Sequence, residues 1–133
     1  MKFYFDENIT PQIVRALEIL QEPLREEIEV YSIAEEFGRG VADEEWIPKV
    51  AAQEGIVVTQ DINIHRTRHQ RELYRNHNLG VIFFRPPKGK GIKYWEMISK
   101  LLNSWPDIKS TCEKANKPFA YVITPRSNNL EEL

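Results

Sequence analysis

The sequence predicts an α/β sandwich built on a mainly parallel sheet. Three observations carry this expectation. The runs Lys2-Phe3-Tyr4-Phe5, Ile56-Val57-Val58-Thr59 and Val81-Ile82-Phe83-Phe84 are short and rich in β-branched or aromatic residues, the composition of strands buried on both faces. Between them lie segments whose apolar residues recur at helical spacing. Strands and helices alternate along the chain without internal repeat, low-complexity segment or linker, as right-handed crossovers around one core require. With 133 residues, 41% of them hydrophobic, the chain has the size and apolar content of one ordinary domain.

The elements follow in order. After the first strand, Thr10-Pro11 reads as a helix start: Thr10 accepts from an orphan N–H, and Pro11 suits the first helical position. Ile13, Val14, Leu17 and Leu20 then form an apolar stripe, and Pro23 marks the exit. Ile28 to Tyr31 alternates with Glu29 and reads as the second strand. Residues 35–42 contain Gly38 and Gly40 and read as a loop. Asp43 precedes a helix carrying Trp46, Ile47, Val50 and Ala51 on one face, with Pro48 awkward unless it lies near the first turn. Gly55 ends that helix and the Ile56–Thr59 strand begins. Residues 65–76 are polar, arginine-rich and predicted helical. The Val81–Phe84 strand stops at Pro86-Pro87. Trp95, Ile98, Leu102 and Trp105 give the next helix an apolar face, Pro106 interrupts it, and Asp107 caps a short final helix. Residues 119–124 form the last strand. The expected domain spans 1–125, and the polar tail at 126–133 is expected to fray.

The formal net charge of −2 argues against a broad basic surface, though not against a local one. The lone Cys112 excludes an internal disulfide and a cysteine-based zinc site, and a reduced, cytoplasmic setting is expected. Met1-Lys2 leads straight into a strand, so no secretory leader is expected. The apolar runs are too short to span a bilayer, and no membrane partner is expected.

Asp6, Asp43 and Asp61 occupy the same kind of place, the rim where strands end and helices or loops begin. In an open parallel sheet, ligands bind beyond the carboxyl ends of strands. If the first and third strands are neighbours, Asp6 and Asp61 converge. Carboxylates about 5 Å apart repel by roughly 3 kcal/mol per pair at an effective dielectric near 20. Protons or cations must relieve such a cluster. Carboxylates and water suit a hard divalent ion, Mg²⁺ or Mn²⁺. Such an ion acidifies water and holds a phosphate oxygen, the machinery for cutting a phosphodiester bond. The plain alternatives are that Asp43 is an ordinary N-cap and that Asp6 and Asp61 make turns. Glu7, Glu44 and Glu45 stand beside these positions, as further candidate ligands or as favourable charge at a helix N-terminus.

Phe-Asp-Glu-Asn-Ile at 5–9, Asp-Glu-Glu-Trp-Ile at 43–47 and Val-Val-Thr-Gln-Asp at 57–61 resemble the PIN-like nucleases, most closely the branch of VapC-type toxins. The resemblance covers about the first two thirds of the chain. It implies a three-layer α/β/α fold and metal-dependent ribonuclease activity. It also implies an antitoxin protein that blocks the site, and toxins of this kind are often homodimers. Carried over by position, Asp6, Asp43 and Asp61 are the acidic metal ligands and catalytic residues, with Thr59 and Asn8 in support. Asn63 stands where the family often has a further acidic residue. As a neutral, weaker ligand it puts a second metal, and activity with it, in question.

His65, Arg66, Arg68, His69, Arg71 and Arg75 follow the acidic rim at once. On a helix Arg68, Arg71 and Arg75 share one face. Arginine suits bidentate phosphate contacts, so an RNA backbone is expected along Arg66, Arg68, Arg71, Arg75 and His65, with Lys88, Lys90 and Lys93 extending the track. The plain reading of the same run is a solvated helix face. Tyr94, Trp95 and Trp105, at helical spacing, are expected in the core.

The leading expectation is therefore a Mg²⁺- or Mn²⁺-dependent endoribonuclease. One alternative is a catalytically degenerate PIN-like module that binds RNA or a protein. The other is a receiver-like phospho-acceptor domain, which also places acids at strand ends. That class needs a lysine at the end of the last strand, and Ile123-Thr124-Pro125-Arg126 has none.

Overall fold

The computed structural model describes residues 1–60 and 64–133, with the side chains of residues 64–67 outside the description. The elements are β1 (Lys2–Phe5), α1 (Pro11–Gln21), a 3-10 turn (Glu22–Leu24), β2 (Glu29–Ser32), α2 (Ile33–Phe37), α3 (Asp43–Ala52), β3 (Ile56–Gln60), α4 (Ile64–Asn76), β4 (Gly80–Phe84), α5 (Tyr94–Lys114), β5 (Phe119–Ile123) and β6 (Leu130–Glu132). Among these, six strands form one sheet in the order β2-β1-β3-β4-β5-β6. The first five run parallel, and β6 is antiparallel to β5.

Strand alternation sorts the core into two layers. Phe3, Phe5, Ile56, Val58, Ile82 and Phe84 point to one face and pack against Ile13, Val14 and Leu17 of α1 and Met97, Leu101, Trp105 and Ile108 of α5. Tyr4, Val57, Val81 and Phe83 point to the other, against Ile33, Trp46, Ile47, Val50 and Tyr74 of α2, α3 and α4. The result is the expected α/β/α sandwich. Each fully buried Phe or Leu contributes about 1.5–3 kcal/mol, so both layers are needed for stability. Gly55 is required by close approach: a Cβ there would lie 2.6 Å from Val50 Cγ1 and 2.7 Å from Tyr4 Cδ2.

The chain runs from β1 out to β2 on one side, then crosses back to β3 on the other. The order therefore switches direction between β1 and β3. That is where an open α/β sheet leaves a crevice at its carboxyl edge.

Several local expectations are corrected. Thr10 does occupy the cap of α1, but its hydroxyl donates to Gln12 Oε1 at 2.8 Å and accepts from no helix N–H. Leu20 lies outside the buried stripe and is exposed. Residues Ile33–Phe37 form a short helix, capped by Ser32, where the loop was expected to begin. Pro48 sits inside α3 on its exposed side, so the Glu44 carbonyl that loses its donor faces water. Pro106 does not break α5, which continues to Lys114, because Pro106 and the Leu102 carbonyl it strands are both on the solvent side. The buried stripe of α5 is Met97, Leu101, Ser104, Trp105, Ile108 and Cys112. Tyr94, Trp95 and Leu102, expected in the core, are exposed. Trp105 is in the core, its indole N–H donating to Gln21 Oε1 at 2.9 Å. Burial pushes the Cys112 thiol up to about 12, an unreactive group.

The polar end of the chain carries a short strand. Leu130–Glu132 pairs with β5, and the amine of Lys100 donates to the carbonyls of Thr124 and Ser127 at 2.7 and 2.9 Å, fixing the turn between them. Among the described residues, no helix is long and apolar enough to cross a membrane.

Candidate active site

The site is built outward from the β1–β3 boundary. Phe5 is in register with Val58, and the ladder continues one step as Asp6 N–H donates to the Val58 carbonyl at 2.9 Å. Asp6 thus leaves the sheet level with Thr59. It follows Tyr4 by two residues, which turns its side chain to the α3 layer. There the Thr59 hydroxyl donates to Asp6 Oδ2 at 2.7 Å, and the Glu7 N–H donates to Oδ1 at 2.7 Å.

Burial raises the Asp6 pKa from its ordinary value, and the Thr59 and Glu7 donors oppose that rise. The Asp43 carboxylate pushes it up further, as does that of Glu7. Asp43 is thus near enough for its charge to bear on Asp6. The structure brings these two sequence candidates together.

Asp43 is not the N-cap of α3. Ala42 holds that position, and Asp43 is the first helical residue. Its side chain is held from inside the protein: Trp46 Nε1 donates to Oδ1 at 3.1 Å and Gln70 Nε2 of α4 to Oδ2 at 3.2 Å. Trp46 and Gln70 were not anticipated. The signal for Trp46 was present, since residues three apart on a helix are neighbours. Gln70 is brought in by α3–α4 packing, which sequence spacing does not encode.

Glu7 accepts from Gly40 N–H at 2.9 Å, so its carboxylate holds the α2–α3 loop against the rim. Glu44 lies 3.7 Å from His69 Nε2, both exposed. Glu45 is exposed. Asn8 Nδ2 donates to the Gln60 carbonyl at 3.5 Å, while Gln60 Nε2 donates back to the Asn8 carbonyl at 3.2 Å. Among the described residues, Asn8 Oδ1 is buried without a hydrogen-bond partner. The remaining candidates Asp61 and Asn63, and the side chains of His65 and Arg66, lie outside the described residues.

Among the described residues, Asp6 and Asp43 take their hydrogen bonds from neutral donors, and no ion pair with Lys or Arg neutralises either. Asp6 and Asp43 offer carboxylate oxygens, the donor type that suits a hard divalent ion. Among the described residues, no group of three or more His, Cys, Asp or Glu is placed to hold a metal.

The arginines take a different place from the one expected. Arg68, Arg71 and Arg75 do share a face of α4, lining a groove with Phe119, Ala120 and Leu133. His69 and Gln70 face α3. At about 100° per residue, the arginine face lies roughly 180° around the helix from that contact. It opens over β5 and away from Asp43.

A family model described as "PIN like domain" matches residues 1–86, which runs from β1 past the end of β4. No curated protein and no solved structure matches the chain. The matched span holds Asp6, Thr59 and Asp43 together with the strands and helices that position them, and the chain belongs to the PIN-like domain family.

Proposed function

We propose that this protein is a metal-dependent endoribonuclease of the VapC toxin type, working in the cytoplasm on an RNA substrate and restrained by an antitoxin. The observation that carries this reading is the Asp6–Asp43 pair: two converging carboxylates at the topological switch point, with no cationic side chain among the described residues to neutralise them. A protein keeps such repulsion where a ligand relieves it.

Asp6, Asp43 and Asp61 are the proposed ligands, with Asn8, Glu7, Glu44 and Asn63 as the nearby oxygens. A Mg²⁺ or Mn²⁺ ion bound there supplies an acidified water and charge for a phosphate oxygen. The chain's own part is to aim the carboxylates. Thr59 and the Glu7 N–H fix the plane of Asp6, while Trp46 and Gln70 fix that of Asp43. Such prior ordering is what makes an electrostatic site effective. A homodimer, as in similar toxins, belongs to the same proposal.

The test is a Mn²⁺ titration followed by cleavage of a panel of single-stranded RNAs. The expected results are saturable Mn²⁺ binding and cleavage that EDTA stops and that Asp6→Asn or Asp61→Asn abolishes. Absence of both binding and cleavage overturns the reading. RNA binding that survives Asp6→Ala and Asp61→Ala with no turnover favours the degenerate binding module, for which Asn63 is the motivating residue.

A further inference from the structure

The loop after β4 and the first turn of α5 carry a feature that the acidic rim does not explain. Trp95 is 76% exposed and Tyr94 46%, whereas the other two tryptophans, Trp46 and Trp105, are 2% and 5% exposed. Trp95 does not lie on a loose segment. Ile92 packs on the α1–α5 core and Met97 is buried within it, so the chain is pinned on both sides. The Met97 N–H closes the first helical turn onto the Lys93 carbonyl at 2.8 Å. Tyr94 meets Trp95 edge to face, with ring centroids 5.3 Å apart and planes at 77°. The backbone is fixed here while the indole stands in solvent.

Charge surrounds the pair. Pro86-Pro87 leads into a tight turn in which Lys90 N–H donates to the Pro87 carbonyl at 3.0 Å, with Gly89 at φ +76 supplying the left-handed position. The turn lifts Lys88 and Lys90 out, and Lys93 follows; all three are exposed. Among the described residues none of them is in an ion pair. Between residues 85 and 96 the sequence has one carboxylate, Glu96. On a chain of net charge −2 this is a concentrated positive patch.

Its position links it to the acid pair. β1, β3 and β4 are parallel neighbours, so the loop leaving β4 rises from the same carboxyl rim as Asp6. Two strand spacings, about 10 Å, separate β1 from β4. The loop leads into α5, which packs on the face of the sheet opposite α3, so a strand passing from this segment to Asp6 and Asp43 crosses the carboxyl edge of the sheet. The platform also lies beyond residue 86, outside the part of the chain that the family model matches.

We propose that Lys88, Lys90, Lys93, Tyr94 and Trp95 form a stacking platform for single-stranded RNA, which leads the strand onto the Asp6–Asp43 rim. The lysines take the phosphates and the indole takes a base face, the pairing by which proteins hold single strands without reading their sequence. A membrane is the poorer occupant. Beside the Tyr94–Trp95 pair the segment's one large apolar residue, Ile92, is packed against the core and has little left to insert. The destination of the strand rests on the nuclease reading above; the platform itself does not.

Tryptophan emission tests the platform directly, because Trp95 is the exposed fluorophore against two buried ones. The full chain carrying Asp6→Asn, to prevent turnover, is titrated with decauridylate and decaadenylate. A duplex RNA of equal length and phosphatidylserine vesicles serve as comparisons. The expected result is quenching by both single strands and weaker binding of duplex. Trp95→Ala weakens single-strand binding about ten-fold while Trp95→Phe restores part of it. Lys88→Gln with Lys90→Gln lowers the salt dependence by about 0.7 per lysine in log–log slope. Trp95 is at the surface, and unchanged emission from Trp46 and Trp105 checks the fold. RNA binding indifferent to Trp95→Ala, absence of RNA binding, or binding of vesicles in place of RNA each overturns the platform. Cleavage by the unaltered chain that is indifferent to Trp95→Ala keeps the nuclease and removes the platform. Trp95-dependent binding without any cleavage keeps the platform and removes the nuclease.

Discussion

The Thr59 hydroxyl donates to Asp6 Oδ2 at 2.7 Å across the β1–β3 boundary, where the strand order reverses. Thr59 is fully inside the protein, yet it spends its one proton on a carboxylate already bonded to the Glu7 N–H. Hydrogen bonds to charged groups contribute about 1.5–3 kcal/mol, and this one works against the burial that raises the Asp6 pKa.

Thr59→Val removes the donor while keeping the shape. It is expected to lower stability by about 1–2 kcal/mol. Without the donor the Asp6 pKa moves still higher, so the acidic limb of any pH–rate profile shifts to higher pH. A carboxyl titration by NMR reads the same shift. An unmoved titration would falsify the role given to Thr59.

Asp6→Asn is expected to stabilise the protein near pH 7 while abolishing cleavage. The sign follows from the raised pKa. The folded state keeps the Asp6 proton to higher pH than the unfolded chain does. That contribution is present in full below the unfolded carboxylate range and is lost as pH rises through the raised value. Asparagine is neutral throughout, so the variant gains roughly 0.5–2 kcal/mol at neutral pH, within the range that relief of a strained functional site yields. Urea unfolding at two pH values measures it. Equal destabilisation of the variant at both would contradict the account.

Trp46→Phe takes away the indole N–H that holds Asp43 Oδ1 at 3.1 Å, with a modest loss of buried volume. If Asp43 binds metal as proposed, Mn²⁺ affinity is expected to fall about 10- to 100-fold, the usual effect of removing a group that orients a ligand. Calorimetric titration with the fold checked by circular dichroism decides it. Unchanged affinity would mean that Asp43 is not a ligand or that Gln70 alone positions it.

Much of the fold was legible because its strands are chemically emphatic. Phe3-Tyr4-Phe5, Ile56–Thr59 and Val81–Phe84 are buried on both faces, and no other element could accept them. The neighbouring of β1 and β3 was the condition set for Asp6 to meet Asp61, and that condition is met, while Asp61 itself lies outside the described residues. Other features depend on tertiary choices that composition does not record. The stripe of α5 was misplaced because Trp95 is hydrophobic by type but left outside by the rotation that buries Met97, Leu101 and Ile108. The arginines of α4 were correctly grouped, but which flank of the sheet they face depends on how α4 seats against α3. The strand at Leu130–Glu132 was missed because an edge strand needs no apolar run.

That last strand limits how the protein can associate. β6 is three residues long, and two of them are glutamates. Another backbone arriving at this border finds little ladder to continue and meets repulsion if it belongs to an identical molecule. Self-assembly by growing the sheet sideways is discouraged at this border.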